Sequence, residues 1–77
     1  MSAHSGLFEV IVHNRRYVGM EIRSLPLIDQ ITISRIYRNH KPISPSGDTV
    51  LEYGDHILYT GPYEVVNQVR SRLGRRG

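Results

Sequence analysis

One short segment gathers the side chains best suited to gripping an anion. Arg35-Ile36-Tyr37-Arg38-Asn39-His40-Lys41-Pro42 carries two guanidiniums, an ammonium, an amide and an imidazole. Guanidinium forks match paired phosphate or carboxylate oxygens, and a lysine adds a compact point charge. Asn39-His40 reads as a turn, which would gather these groups near a hairpin. Arg35, Arg38, His40 and Lys41 are therefore the candidate contacts for a small anionic ligand. A competing reading needs no ligand: charge on an exposed hairpin keeps it soluble and discourages edge-to-edge aggregation.

No other grouping of reactive side chains emerges. The histidines are His4, His13, His40 and His56. None pairs at i, i+4 and no HExxH motif is present, so they read as surface or strand-edge imidazoles and no metal site is assigned. Asp48 and Asp55 each follow a glycine in a turn-like segment, where a carboxylate can accept backbone N–H groups. Asp48, Gly54 and Asp55 are accordingly read as structural turn residues, with general acid chemistry the lesser alternative. Ser44 and Ser46 lack a nucleophile context such as G-x-S-x-G, and neither a Walker A loop nor G-x-G-x-x-G occurs. No catalytic residue is assigned, and the chain is not expected to be an enzyme.

The elements that would position the cationic segment follow from periodicity. Residues 7–13 alternate as a β-branched strand, with apolar side chains on both faces, so both faces are expected to be at least partly covered. Val18, Ile22 and Leu25 recur at i, i+4 and i+7, predicting a helix of about two turns that Pro26 ends. Residues 31–38 form a second strand. Ile31 and Ile33 share a face but Ile36 falls on the other, which requires a bulge or two covered faces. Residues 41–44 return as a hairpin partner, confined by Pro42 and Pro45 to an edge or a short length. Residues 45–48 are a turn in which Gly47 can supply a positive φ. A short extended piece at 49–51, a tight turn at 53–55 and a last strand at 56–60 follow. Gly61-Pro62 opens a closing helix whose apolar stripe is Val65, Val66, Val69 and Leu73, with Gly74 as its cap. The expected fold is α+β: a mostly antiparallel sheet of four or five strands, a short helix after the first strand and a C-terminal helix.

Composition bounds the rest. The chain has 77 residues and no cysteine, enough for one domain without disulfide staples. Small unstapled scaffolds commonly gain stability by oligomerising, so a homodimer is expected. No apolar run approaches the roughly 20 residues of a membrane-spanning helix. The net charge of +3 is concentrated in Arg70, Arg72, Arg75 and Arg76 at one end and Arg15 and Arg16 near the other. A basic end could meet nucleic acid or an anionic membrane, but arginines also favour the negative pole of a helix. With no groove-reading motif, a nucleic-acid partner is disfavoured.

The order of these pieces resembles a known family. Arg35-Ile36-Tyr37-Arg38-Asn39, then Pro45, then Gly47-Asp48-Thr49-Val50-Leu51-Glu52-Tyr53-Gly54-Asp55-His56-Ile57-Leu58-Tyr59-Thr60-Gly61 is similar to the TrkA-C, or RCK-C, domain, and Gly19, Ile22 and Leu25 look like its upstream segment. The resemblance runs from about residue 7 to residue 73. It implies a soluble regulatory domain on the cytoplasmic side of the cell membrane. The expected attachment is a transporter or channel for potassium or other cations, or an aspartate:alanine antiporter-like exchanger. It also implies a dimer that binds a small ligand near its interface, a nucleotide or cyclic dinucleotide, with cyclic di-AMP the ligand in some members. The partner would be the transmembrane transport domain of the same or another chain. Residues 1–6 are expected to be disordered or an expression-derived leader, 7–74 the domain, and 75–77 a basic tail. The alternatives are a purely structural dimerisation domain and, less favoured, a basic nucleic-acid-binding module.

Overall fold

A computed structural model of the chain describes residues 6–76. The expectations for residues 1–5 and for Gly77 lie outside the described residues. Four strands, β1 (Phe8–Ile11), β2 (Thr32–Arg38), β3 (Lys41–Ile43) and β4 (His56–Thr60), form one antiparallel sheet in the order β1-β4-β2-β3. Among the described residues a single α-helix, α1 (Tyr63–Leu73), closes the domain.

Strand alternation explains which side chains are covered. Rows across the sheet run Val10, Ile57, Ile36, Ile43 on one face and Glu9, Leu58, Arg35 on the other. The first face carries the core, where Val10, Ile36, Ile57 and Tyr59 join the helix stripe Val65, Val66, Val69 and Leu73. Tyr59 sits at the centre: it is fully buried, its hydroxyl donates to the Val66 carbonyl at 3.0 Å, and burial pushes its phenol pKa up. The other face has no covering element among the described residues. The expectation that both faces of the first strand are at least partly covered meets a half-buried Ile11 on the open face, while the helix and the long connection pack on the core side.

The phase conflict in the second strand is resolved by a bulge. Ile33 pairs with Tyr59 but Arg35 pairs with Leu58, so Ser34 is the extra residue. The insertion lets Ile33 and Ile36, three apart, both face the core and turns Arg35 to the open face.

The helix expected from Val18, Ile22 and Leu25 is replaced by three single-turn 3-10 helices, Arg15–Tyr17, Ile22–Ser24 and Ile28–Gln30. Its premise fails at Gly19, which takes φ +87, and at Val18 and Leu25, both extended. Ile22 and Leu25 still reach the core as predicted, but Val18 is exposed and Tyr17 is buried instead. Gly47 is corrected too, since its φ is not positive. Its turn is held by side chains: Thr49 Oγ1 accepts the Ser46 N–H at 3.0 Å, and the Ser46 hydroxyl donates to Asp48.

The C-terminus of α1 is tied to the chain just after β1. The Leu73 carbonyl accepts from the N–H groups of His13 and Asn14, and Asn14 Nδ2 donates to the Arg72 carbonyl at 2.8 Å. Carbonyls that a helix end leaves orphaned are thereby satisfied. Gly74 caps the helix in a right-handed conformation, where a Cβ would lie 2.8 Å from the Arg70 carbonyl. Close approach, not a left-handed φ, is what favours glycine there.

Candidate functional site

The hairpin joining β2 to β3 is built by a two-residue turn, Asn39 at φ 52 and His40 at φ 66. Two consecutive left-handed residues match the twist of a tight hairpin, and asparagine tolerates that region. His40 stands where glycine is the usual occupant, so its ring is presented at the turn despite a backbone cost of about 1 kcal/mol.

Arg38 leaves the strand just before the turn and spends its guanidinium internally. Nε and one terminal nitrogen hold the two oxygens of Asp55 at 2.9 and 2.8 Å, and the same terminal nitrogen donates to the Val50 carbonyl at 2.9 Å. The other terminal nitrogen meets Glu52 at 3.0 Å. Asp55 is 1% exposed and also accepts the Glu52 N–H at 2.9 Å. Gly54, at φ +86, makes the reversal that delivers Asp55 to this position. The carboxylate hydrogen bond raises the Arg38 pKa further.

The four candidate contacts do not converge on one point. His40 lines a cleft of about 370 Å³ with Tyr37, Asn39, Gly54 and His56. Arg38 and Lys41 line another of about 400 Å³ with Asn39, Pro42 and Ile43. Arg35 lines neither and lies exposed on the open sheet face. The hairpin end therefore offers donors on both of its sides, with Asn39 common to the two clefts. Of these donors Arg38 is already engaged by carboxylates.

Sequence reasoning missed Tyr37 and His56. They are register partners on adjacent strands, so their side chains share the open face. The alternation of the last strand held that signal. His56 Nδ1 lies 2.7 Å from Glu9 Oε2, a link across β1 and β4. A third cleft, of about 250 Å³, differs in kind: Ile22, Ile28, Ile31, Ile33 and Pro45 give it apolar walls, with Ser46 and Gly47 at its margin. It suits a flat or aliphatic group, whereas the hairpin end suits an anion. Neither site assembles a nucleophile with a base.

Comparison with known proteins places this architecture. A family model, the TrkA-C domain, matches residues 7–74. A putative Na(+)/H(+) antiporter, YjbQ of Bacillus subtilis (strain 168), is 33% identical over 90% of this chain and 11% of its own length. The Trk system potassium uptake protein TrkA homolog of Archaeoglobus fulgidus is 32% identical over 84% of this chain and 15% of its own. The chain thus spans only a small part of the curated relatives it matches. Among solved structures, an RCK domain with cda is 36% identical with a TM-score of 0.84, covering 90% of this chain and 99% of that one. An RCK_C domain dimer of S. agalactiae BusR in complex with c-di-AMP is 29% identical with a TM-score of 0.77, covering 90% and 96%.

Proposed function

The chain belongs to the TrkA-C domain family, and from that premise we propose that it is a non-catalytic, ligand-sensing and dimerising regulatory domain of a membrane transport protein. One observation carries the reading: the chain matches RCK domains over almost their whole length, and one of them is a dimer in complex with c-di-AMP. The transport relatives support a cation transporter or antiporter as the larger assembly. No helix among the described residues is long and apolar enough to cross a membrane, so the attached transport domain would supply the spans. The site of action is the cytoplasmic face of the membrane.

The mechanism is one of population shift. A ligand acts on the transport domain only by binding one arrangement of the dimer more tightly than another. Arg35, His40 and Lys41 are the proposed anion contacts. Arg38 sets the hairpin on which two of them stand, and a cyclic dinucleotide is the proposed ligand class. The apolar cleft beside Ile31 and Ile33 offers a seat for a base.

Thermal unfolding with cyclic dinucleotides, mononucleotides and divalent cations tests the proposal. A ligand that binds only the folded state stabilises it by about 2.7 kcal/mol at a hundredfold excess over its dissociation constant. A rise with c-di-AMP, with amide shifts mapping to the hairpin end or the apolar cleft, supports a sensor. A flat response from a confirmed dimer favours the structural dimerisation reading. Salt-dependent binding to DNA or RNA, abolished by removing residues 74–77, would favour the nucleic-acid module.

A further inference from the structure

Two basic runs that lie far apart in the sequence meet at one end of the fold. The N–H groups of His13 and Asn14 bond the Leu73 carbonyl at 3.0 and 3.1 Å, and Asn14 Nδ2 holds the Arg72 carbonyl. That joint sets Arg15 and Arg16, shortly after β1, beside Arg72, Arg75 and Arg76 at the end of α1. All five are exposed, and none makes an ion pair among the described residues. The chain has ten Lys and Arg and seven Asp and Glu, so the remainder carries five bases against seven acids, a net charge of −2. Glu52 and Asp55, the carboxylates nearest to Tyr53 in the chain, are both held by Arg38. Capping does not account for the cluster, because backbone N–H groups and Asn14 already satisfy the carbonyls of Leu73 and Arg72.

We infer that this end of the domain is a docking surface for the anionic headgroups of a phospholipid bilayer. Unpaired guanidiniums gathered at one end suit a surface of closely spaced phosphates. Two exposed side chains beside them add the apolar component that such a surface accepts. Val18 donates its N–H to the Arg15 carbonyl at 3.2 Å, and the Tyr53 ring has the Arg15 guanidinium 4.5 Å from its centroid. Tyrosine is favoured at headgroup depth, where one part of the ring is apolar and the hydroxyl is wet. A nucleic acid is the poorer fit, because the ring on which a base would stack already has Arg15 over its face and His13 against it at 5.6 Å. The transport domain proposed above would hold this end near a bilayer. No residue of the patch lines any of the three clefts, so its failure would leave the ligand reading untouched.

Vesicle co-sedimentation of the full chain tests the surface. The probes are vesicles of pure phosphatidylcholine and of phosphatidylcholine mixed with an equal part of phosphatidylglycerol. The chain is expected to bind the mixed vesicles, to ignore the neutral ones, and to be released as salt rises. Each arginine near an anionic surface is worth about fivefold in binding, so losing two should weaken it about thirtyfold. Arg15→Gln with Arg16→Gln, and Arg75→Gln with Arg76→Gln, should each show that loss while keeping the wild-type circular dichroism spectrum. Arg23→Gln, a charge removed outside the patch, should leave binding nearly unchanged. A loss seen only with the Arg75 and Arg76 pair would reduce the surface to a basic tail and overturn the joined patch. Equal binding to neutral vesicles, or none to either kind, would overturn the anionic surface. Tighter binding to duplex DNA or RNA than to the mixed vesicles at the same salt would replace the bilayer with a nucleic acid.

Discussion

At the residue scale, Arg38 shows how far chemistry read from a sequence depends on neighbours. Its type and position marked it as a ligand contact, yet its guanidinium binds Asp55, Glu52 and the Val50 carbonyl. The partners lie 12 to 17 residues downstream, so no local pattern could reveal them. Arg38→Ala strips the counter-charge from a carboxylate with almost no access to water. Denaturant unfolding should show a loss of about 3 kcal/mol, as expected when one member of a buried pair is removed. Asp48 offers a gentler test. The Ser46 hydroxyl holds its pKa below the ordinary carboxylate value. A depressed pKa stabilises the fold above the unfolded-state value and gives up that contribution as pH falls through the folded one. Ser46→Ala should move the Asp48 titration upward, as read by carboxylate NMR.

At the element scale, strands were legible and helical content less so. The last strand and the closing helix follow directly from alternation and from the stripe of Val65, Val66, Val69 and Leu73. The region after β1 misled because a spacing of four and seven was taken for a helix. In the structure Gly19 breaks the run, and single turns bring Ile22 and Leu25 to the core separately. Apolar spacing reports burial, but it does not report the hydrogen bonding between buried positions. The turns carry two contrasting predictions. Gly54→Ala forces a Cβ into a left-handed position and should cost about 1–2 kcal/mol in thermal unfolding. His40→Gly relieves strain but loosens the unfolded chain, so stability should stay within about 0.5 kcal/mol. If His40 contacts the ligand, the same variant should bind c-di-AMP more weakly, as measured by calorimetry.

At the scale of the whole molecule, thirteen side chains among the described residues form one apolar cluster on a single side of the sheet. Leu51, fully buried in the connection before β4, links the 3-10 segment to it. Leu51→Ala should cost about 3 kcal/mol by denaturant unfolding. The family resemblance and the sheet were readable from the chain, but that no described element packs over the second face was not, because apolar residues on both faces of β1 look alike in sequence. The strand order has a further consequence, for how the protein is made. The central strand, β4, is the last strand in the chain, and β1 and β2 both pair with it. As the polypeptide leaves the ribosome, the first strand therefore waits unpaired while more than forty residues are added. The hairpin of β2 and β3 can close early, but the sheet cannot grow strand by strand from the N-terminus. Folding must wait for residues 56–60, and the bonds to Leu73 then join the two ends of the domain. A nascent chain halted before β4 would display its strands bare, a ready target for holdase chaperones.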